Sequence, residues 1–427
     1  MLHWAQALNF WQICLTLFFV SLGLWLWSLF GRRKHQQLAQ NRRTIRVIAD
    51  AIAPLHGVEG NQVKGLLSRD GSDTLKALRV GIAGAQRRIS ISTYILAHDI
   101  VGREVIALLA ARARTGVEVR LLIDAVGSRM LPNYRLKDLR AAGVQVARFN
   151  PVLSLRTRGS ANWRNHRKMA IFDGNTAIIG GQNLGGQYIG SMPARRRFRD
   201  ASFLIQGPAA NHLEHVFLTD WCQAQNLDPI DLKSVLREEA APAGKDRAEV
   251  IDSGPDAESD PLWQALNRAI TSARTSIDIV TPYFIPDAIT LTALTRAARE
   301  GIQVRIIVPR KSDHRLTDFA RRPYLRKLAE AGADILFYSP GILHTKLVLI
   351  DKAKAFIGSA NFDMRSLFLN YEITVLVQQS QLCTEVAGYI EGLAQESKEP
   401  SLSLIRGART WQGQLLERLA RLIAPLL

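Results

Sequence analysis

Two stretches of the chain carry the same order of apolar and polar positions. Arg88-Ile-Ser-Ile-Ser-Thr-Tyr94 and Thr275-Ser-Ile-Asp-Ile-Val-Thr-Pro-Tyr283 each follow a helical stretch and are rich in the residue types that favour strands. A helix is expected next in both, around Glu104 to Thr115 and Leu291 to Glu300, each ended by a glycine, Gly116 or Gly301. Val117-Glu-Val-Arg-Leu-Leu-Ile123 and Ile302-Gln-Val-Arg-Ile-Ile-Val308 then read as buried strands of a parallel sheet. A second helix and a second glycine, Gly143 or Gly332, follow in each copy. The pattern predicts a duplicated α/β chain in which each copy forms a mixed or parallel sheet flanked by helices.

The regions outside the two copies read differently. Ala5 to Phe30 has no charged side chain, is long enough to cross a bilayer as a helix, and is followed by Arg32, Arg33 and Lys34. A single N-terminal transmembrane helix is therefore expected, its basic flank on the cytoplasmic side. The absence of Lys or Arg before the run argues against a cleaved secretory signal. The boundaries that follow are an anchor with basic flank over 1–34, a juxtamembrane segment over 35–65, a first domain over 66–225, a linker over 226–259, a second domain over 260–400 and a basic amphipathic helix over 401–427. That last helix alternates Leu404, Trp411, Leu415 and Leu419 with Arg406, Arg409 and Arg418, and suits either a membrane surface or the second domain.

With 427 residues the chain has room for two ordinary cores. Its formal charge of +17 favours an anionic partner, and on charge alone nucleic acid and acidic lipid serve equally well. The expected anchor tips the balance toward lipid, because basic residues beside a transmembrane helix are attracted to an anionic leaflet. Cys14, Cys222 and Cys383 are far apart and without ligand histidines nearby, which suggests neither a disulfide framework nor zinc.

The chemistry is carried by a constellation that also occurs twice. His166, Lys168, Asp173, Gly180-Gly181 and Asn183 in the first copy match His344, Lys346, Asp351, Gly358-Ser359 and Asn361 in the second, with the same offset from histidine to asparagine. One such motif is weak; two in matching places of a duplicated fold are strong. On a strand, His and Lys two positions apart share a face. One side chain can then attack phosphorus while its neighbour holds a non-bridging oxygen. Histidine suits both roles, since a neutral imidazole attacks and an imidazolium protonates the leaving alkoxide. Asn183 and Asn361 are candidates for holding the phosphate. Asp173 and Asp351 belong to the catalytic motifs, with the holding of loops as their favoured role. The glycine pairs permit a tight turn or a close approach of the phosphate. Asp200 and Glu372 are the candidate acids that orient the rings, Asp200 for His166 and Glu372 for His344. The arginine run at 195–197 reads as a solvated face or a phosphate contact. No nucleotide loop or metal motif is present, so neither cofactor nor metal is expected.

These residues resemble the paired signatures of the phospholipase D superfamily, and within it the bacterial cardiolipin synthases. The likeness covers nearly all of the chain after about Leu66 and is carried by Asn165-His-Arg-Lys-Met, Gly180-Gly-Gln-Asn-Leu-Gly-Gly-Gln-Tyr188, Thr281-Pro-Tyr-Phe-Ile-Pro-Asp287, Leu343-His-Thr-Lys, Ser359-Ala-Asn-Phe-Asp-Met-Arg-Ser366 and Asn370-Tyr-Glu372. Many bacterial members have two transmembrane helices before the catalytic region, where this chain shows one. The resemblance implies tandem phospholipase D-like domains and transfer of a phosphatidyl group between two phosphatidylglycerol molecules, giving cardiolipin and glycerol through a phosphohistidine. His166 is expected to be the nucleophile and His344 the acid. The expected partners are anionic phospholipids and the bacterial inner membrane, with the catalytic domains on the cytoplasmic side and no nucleic acid. A hydrolytic phospholipase D making phosphatidic acid is the main alternative, and a phosphodiesterase nuclease a more distant one.

Overall fold

The computed structural model describes residues 58–66, 71–151, 162–190, 197–227, 240–257 and 259–399. The expected anchor with its basic flank, most of the juxtamembrane segment and the C-terminal amphipathic helix lie outside these residues, as do Cys14, Arg195 and Arg196. Among the described residues no helix is long and apolar enough to cross a membrane.

In chain order the first repeat consists of β1 (Val58–Leu66), α1 (Ser72–Gly84), β2 (Arg88–Thr93), α2 (Ile100–Arg114), β3 (Glu118–Asp124), α3 (Asn133–Ala141) and β4 (Gln145–Phe149). It continues with β5 (Met169–Phe172), β6 (Thr176–Gly180), α4 (Gly186–Ile189), β7 (Phe198–Arg199), β8 (Ser202–Gln206) and α5 (Pro208–Gln225). The second repeats that order with β9 (Asp246–Ser253), α6 (Pro261–Thr271), β10 (Ser276–Val280), β11 (Phe284–Ile285), α7 (Ala288–Arg299) and β12 (Gln303–Pro309). Then come α8 (Arg315–Ala320), α9 (Arg322–Glu330), β13 (Asp334–Tyr338), β14 (Ile342–Leu343), β15 (Leu347–Ile350) and β16 (Lys354–Gly358). β17 (Phe362–Asp363), α10 (Met364–Phe368), β18 (Glu372–Gln378), α11 (Gln381–Gln395) and β19 (Ser397–Lys398) complete it.

Among the described residues fifteen strands form one sheet in the order β19-β13-β12-β10-β15-β16-β18-β9-β1-β8-β6-β5-β2-β3-β4, while β11 pairs with β17 and β14 with β7. Apart from β19, the order reads the same outward from the β9–β1 seam on either side, as two copies related by a pseudo-twofold axis must. The outer strands β2-β3-β4 and β10-β12-β13 are parallel and the inner ones antiparallel, so each half is mixed. Parallel strands need helical crossovers, which α2, α3, α7 and α9 provide. Gly116 and Gly301, at φ 90° and 87°, stop the first crossover helix of each copy in the left-handed conformation that glycine adopts without penalty.

Two features depart from the expected organisation. Residues 246–253, within the stretch read as a linker, form β9, and residues 58–65 of the juxtamembrane stretch lie in β1. Asp246, Arg247, Glu249 and Asp252 hide the apolar period of β9, whose Ala248, Val250 and Ile251 are buried. Among the described residues there are three large apolar cores and a small fourth cluster around Ile285 and Ala320. One is shared across the seam, joining Phe203, Leu213 and Phe217 to Tyr371, Val375 and Val386, and each repeat has another of its own.

Candidate active site

The two motif histidines stand where the repeats meet. Lys168 precedes β5 and Lys346 precedes β15, and these strands pair with the C-terminal ends of β2 and β10 (Met169 with Ser92, Leu347 with Val280). Each histidine sits on a short segment that crosses to the other repeat. The His166 backbone N–H donates to the Tyr371 carbonyl at 2.9 Å, and Tyr371 N–H donates to the Arg164 carbonyl at 2.9 Å. On the opposite side β14 lies parallel to β7, and the His344 N–H donates to the Arg199 carbonyl at 2.8 Å.

Those crossings decide which acid meets which ring. His166 Nδ1 lies 2.8 Å from Glu372 Oε1, and His344 Nδ1 lies 2.6 Å from Asp200 Oδ2. The pairing expected from sequence, Asp200 with His166 and Glu372 with His344, is therefore corrected: each acid serves the histidine of the other repeat. The physical reason is the twofold arrangement, which lays 164–166 along 370–372 and 342–344 along 198–200. Both acids are buried, and Ser359 Oγ donates to the second oxygen of Glu372 at 2.5 Å. A carboxylate held in this way fixes Nδ1–H as the donor and leaves Nε2 of each ring for chemistry.

Both lysines fold back on the preceding backbone, Lys168 Nζ to the His166 carbonyl at 2.7 Å and Lys346 Nζ to that of His344, and Lys346 Nζ also lies 2.7 Å from His344 Nδ1. Burial lowers Lys168 to about 7 and Lys346 to about 8, with the Lys346 ammonium pushing Lys168 down further, while Glu372 and Asp200 pull both upward. Burial likewise lowers His166 to about 4 against the pull of Glu372, with Lys168 and Lys346 adding to the depression. His344 is pushed down by burial and then by Lys346, against Asp200. That His166 feels Lys346, and Lys168 feels Asp200, puts both half-sites in one electrostatic environment. Glu372 stays below the ordinary carboxylate range, since His166 and its other partners outweigh the cost of burial.

The remaining candidates divide. Asn183 is buried with its amide oxygen accepting from the Ile95 N–H at 3.1 Å, and Asn361 is buried with an amide oxygen that meets no hydrogen-bond donor, in a recess it shares with Lys346. Asp173 and Asp351 sit at the far ends of β5 and β15, roughly 15 Å along the strand from the lysines at about 3.3 Å per residue. There Asp173 accepts from the N–H groups of Gln86, Arg87 and Arg88, and Asp351 from those of Arg274, Thr275 and Ser276. Gly181 makes room for a side chain: a Cβ there would lie 2.3 Å from Asp200 Oδ1.

Several neighbours carried no signal in the sequence. Tyr94 meets the edge of His166 at 5.0 Å and Tyr188 that of His344 at 5.5 Å, while Phe198 stacks on His344. The two tyrosines also line a cleft of about 360 Å3 with Ile95, Arg129 and Met130. Arg167, between the motif His and Lys, is wholly buried; it pairs with Asp220 of its own repeat and reaches the second repeat through the carbonyls of Glu372 and Ser253. Aromatic residues after a strand are too common to mark a site.

The family described as "Cardiolipin synthase, PLD-like domain" matches residues 78–221 and 266–394. The cardiolipin synthase of Halalkalibacterium halodurans is 35% identical over 362 residues, covering 84% of this chain and 71% of its own. Cardiolipin synthase 1 of Bacillus anthracis is 32% identical, covering 99% and 89%. In fold, the crystal structure of phosphatidylserine synthase from Haemophilus influenzae superposes with a TM-score of 0.69 at 15% identity, over 90% of this chain and 100% of that one.

Proposed function

The chain belongs to the cardiolipin synthase family of phospholipase D-like proteins, and from that premise we propose that it transfers a phosphatidyl group from one phosphatidylglycerol to the glycerol hydroxyl of a second, releasing glycerol. The observation that carries this reading is the reciprocal pair, His166 with Glu372 and His344 with Asp200, beside two buried lysines.

In the first half of the reaction His166 Nε2 attacks the donor phosphorus, the bond from phosphorus to the glycerol oxygen breaks, and His344 gives that oxygen its proton. Lys168, Lys346 and the amides of Asn183 and Asn361 hold the non-bridging oxygens as charge builds on them. The low pKa of His166 keeps its ring neutral and able to attack. The negative charge of the phosphodiester raises the histidine that has yet to donate, so the imidazolium forms together with the complex. In the second half His344 takes the proton from the acceptor hydroxyl, whose oxygen displaces His166 from phosphorus. One phosphodiester replaces another, so no nucleotide is consumed.

Residues 5–30 anchor the chain in the bacterial inner membrane with the catalytic repeats on the cytoplasmic side, a reading supported by the charge-free apolar run and the Arg32-Arg33-Lys34 flank. Anionic phospholipids are then both substrate and surroundings. The test is turnover of labelled phosphatidylglycerol in mixed micelles with a chelator present. Cardiolipin and free glycerol are expected, lost in both His166→Ala and His344→Ala; phosphatidic acid as the sole product would make the chain a hydrolase, and no lipid turnover would refute the proposal.

A further inference from the structure

A separate cleft, of about 350 Å3, opens on the second repeat beside α8 and α9. Arg310, Lys311, Arg315, Arg321 and Arg322 line it, against one carboxylate, Asp318. That carboxylate is already engaged, pairing with Arg321 at 2.8 Å and accepting from the Ser312 N–H. Arg321 is 3% exposed, its Nη2 donates to the Pro309 carbonyl, and its Nη1 meets no hydrogen-bond acceptor. Burial lowers it to about 10, so the cation is held at a desolvation cost that a further anion would relieve.

The cleft also has the apolar surface that a lipid needs. Arg322 lies over the Phe319 ring at 4.6 Å and Arg321 over Phe337 at 5.6 Å, which orients the guanidinium edges to donate. Phe319, Leu325 and Phe337 supply the apolar part of the lining, and Leu316, next to Arg315 but outside the lining, is 50% exposed. Arg310 and Lys311 leave β12 at the edge where β10 ends, the edge at which Lys346 enters β15. The cleft and the catalytic site therefore lie along one rim of the sheet.

We propose that this cleft binds the phosphate headgroup of an anionic phospholipid that is not undergoing transfer, and so holds the catalytic rim against an anionic bilayer. The inference deepens the proposed function and rests on it for the choice of a lipid over free phosphate.

The experiment is photolabelling of the full-length protein in neutral detergent micelles with a diazirine-bearing phosphatidic acid, followed by peptide mapping. Label is expected within 310–326, displaced by short-chain phosphatidic acid and not by phosphatidylcholine. The exposed triple variant Arg310→Gln, Lys311→Gln, Arg315→Gln should lose labelling there by roughly tenfold or more. It should still form cardiolipin from short-chain monomeric phosphatidylglycerol. Displacement by inorganic phosphate as effective as by the lipid would reassign the ligand to a free anion and overturn the lipid proposal. Labelling unchanged in the variant, or confined to peptides around His166 and His344, would overturn the site. The map does not depend on turnover, so a failure of the synthase reading shows separately, as missing cardiolipin in the wild type.

Discussion

Glu372, the first residue of β18, meets the His166 ring at 2.8 Å although 206 residues separate them. Asp200 meets His344 at 2.6 Å across 144 residues. Neither repeat contains both a histidine and the acid that meets it, so each histidine–acid pair is completed only by the two copies together.

That crossing makes a prediction about pairs of variants. Glu372→Gln and Asp200→Asn should each lower kcat by about 10^2 to 10^4 with little change in KM, as the ring loses its fixed tautomer. With a phosphatidyl ester of p-nitrophenol, whose leaving group needs no proton, Asp200→Asn and His344→Ala should recover the first step while Glu372→Gln and His166→Ala remain inactive. Release of p-nitrophenolate in a stopped-flow burst reads this directly. The opposite pattern would make His344 the nucleophile.

Binding of the phosphodiester should depend on pH through the lysines. With Lys168 near 7 and Lys346 near 8, both are charged below that range and lose charge as pH rises through it. A non-reactive phosphonate analogue should therefore bind about tenfold more weakly at pH 9 than at pH 6.5. The bound anion raises both lysines, so binding near pH 8 should take up protons, visible in calorimetry as a heat that varies with the buffer. The two values belong to the coupled pair. Binding that stays level up to pH 10 would contradict the depressed values.

Gly181→Ala isolates the positioning of one acid. The added Cβ would lie 2.3 Å from Asp200 Oδ1, and Gly181 is free of positive φ, so the collision falls on the acid and not on the turn. Displacement of Asp200 by a fraction of an ångström to about 1 Å should lower kcat by roughly 10 to 10^2. Circular dichroism should show the fold retained. An unchanged kcat would mean that the position of Asp200 does not limit the reaction.

Asp173→Ala and Asp351→Ala should act on stability. Each carboxylate caps three backbone N–H groups at the start of a parallel strand, and loss of those bonds should cost about 1–2 kcal/mol in a denaturant titration, with kcat little affected. Burial alone would raise both carboxyls, but the N–H groups outweigh it and hold them below their ordinary value. Their contribution is thus present above about pH 4 and fades as pH falls through the folded-state value. A large loss of kcat at unchanged stability would return these residues to the chemistry.

Arg167→Ala should unfold the seam. The guanidinium is wholly buried against Asp220, itself buried, and removal takes away the counter-charge of that carboxylate, to which the neutral Asn165 amide still donates, and a donor from the Glu372 and Ser253 carbonyls. A loss of about 3–5 kcal/mol is expected. Arg167→Ala combined with Asp220→Ala should lose less than the two single variants added together, because no charge is then stranded.

The sequence by itself determined whatever depends on local periodicity and on repetition. The strands around Ile89 and Ile277, the crossover helices ending at Gly116 and Gly301, the duplicated α/β order and the His-x-Lys pairs are legible because each needs only neighbours within a few residues. The family resemblance follows from the same short motifs. Tertiary structure alone decided how the copies meet: the strand β9 concealed among charges, the core shared across the seam, and the exchange of Glu372 and Asp200 between the two histidines. A duplicated sequence specifies two equivalent surfaces but not their relative placement. That placement follows from which apolar faces bury each other, and here burial at the β1–β9 seam carries each acid across the axis to the other repeat's ring.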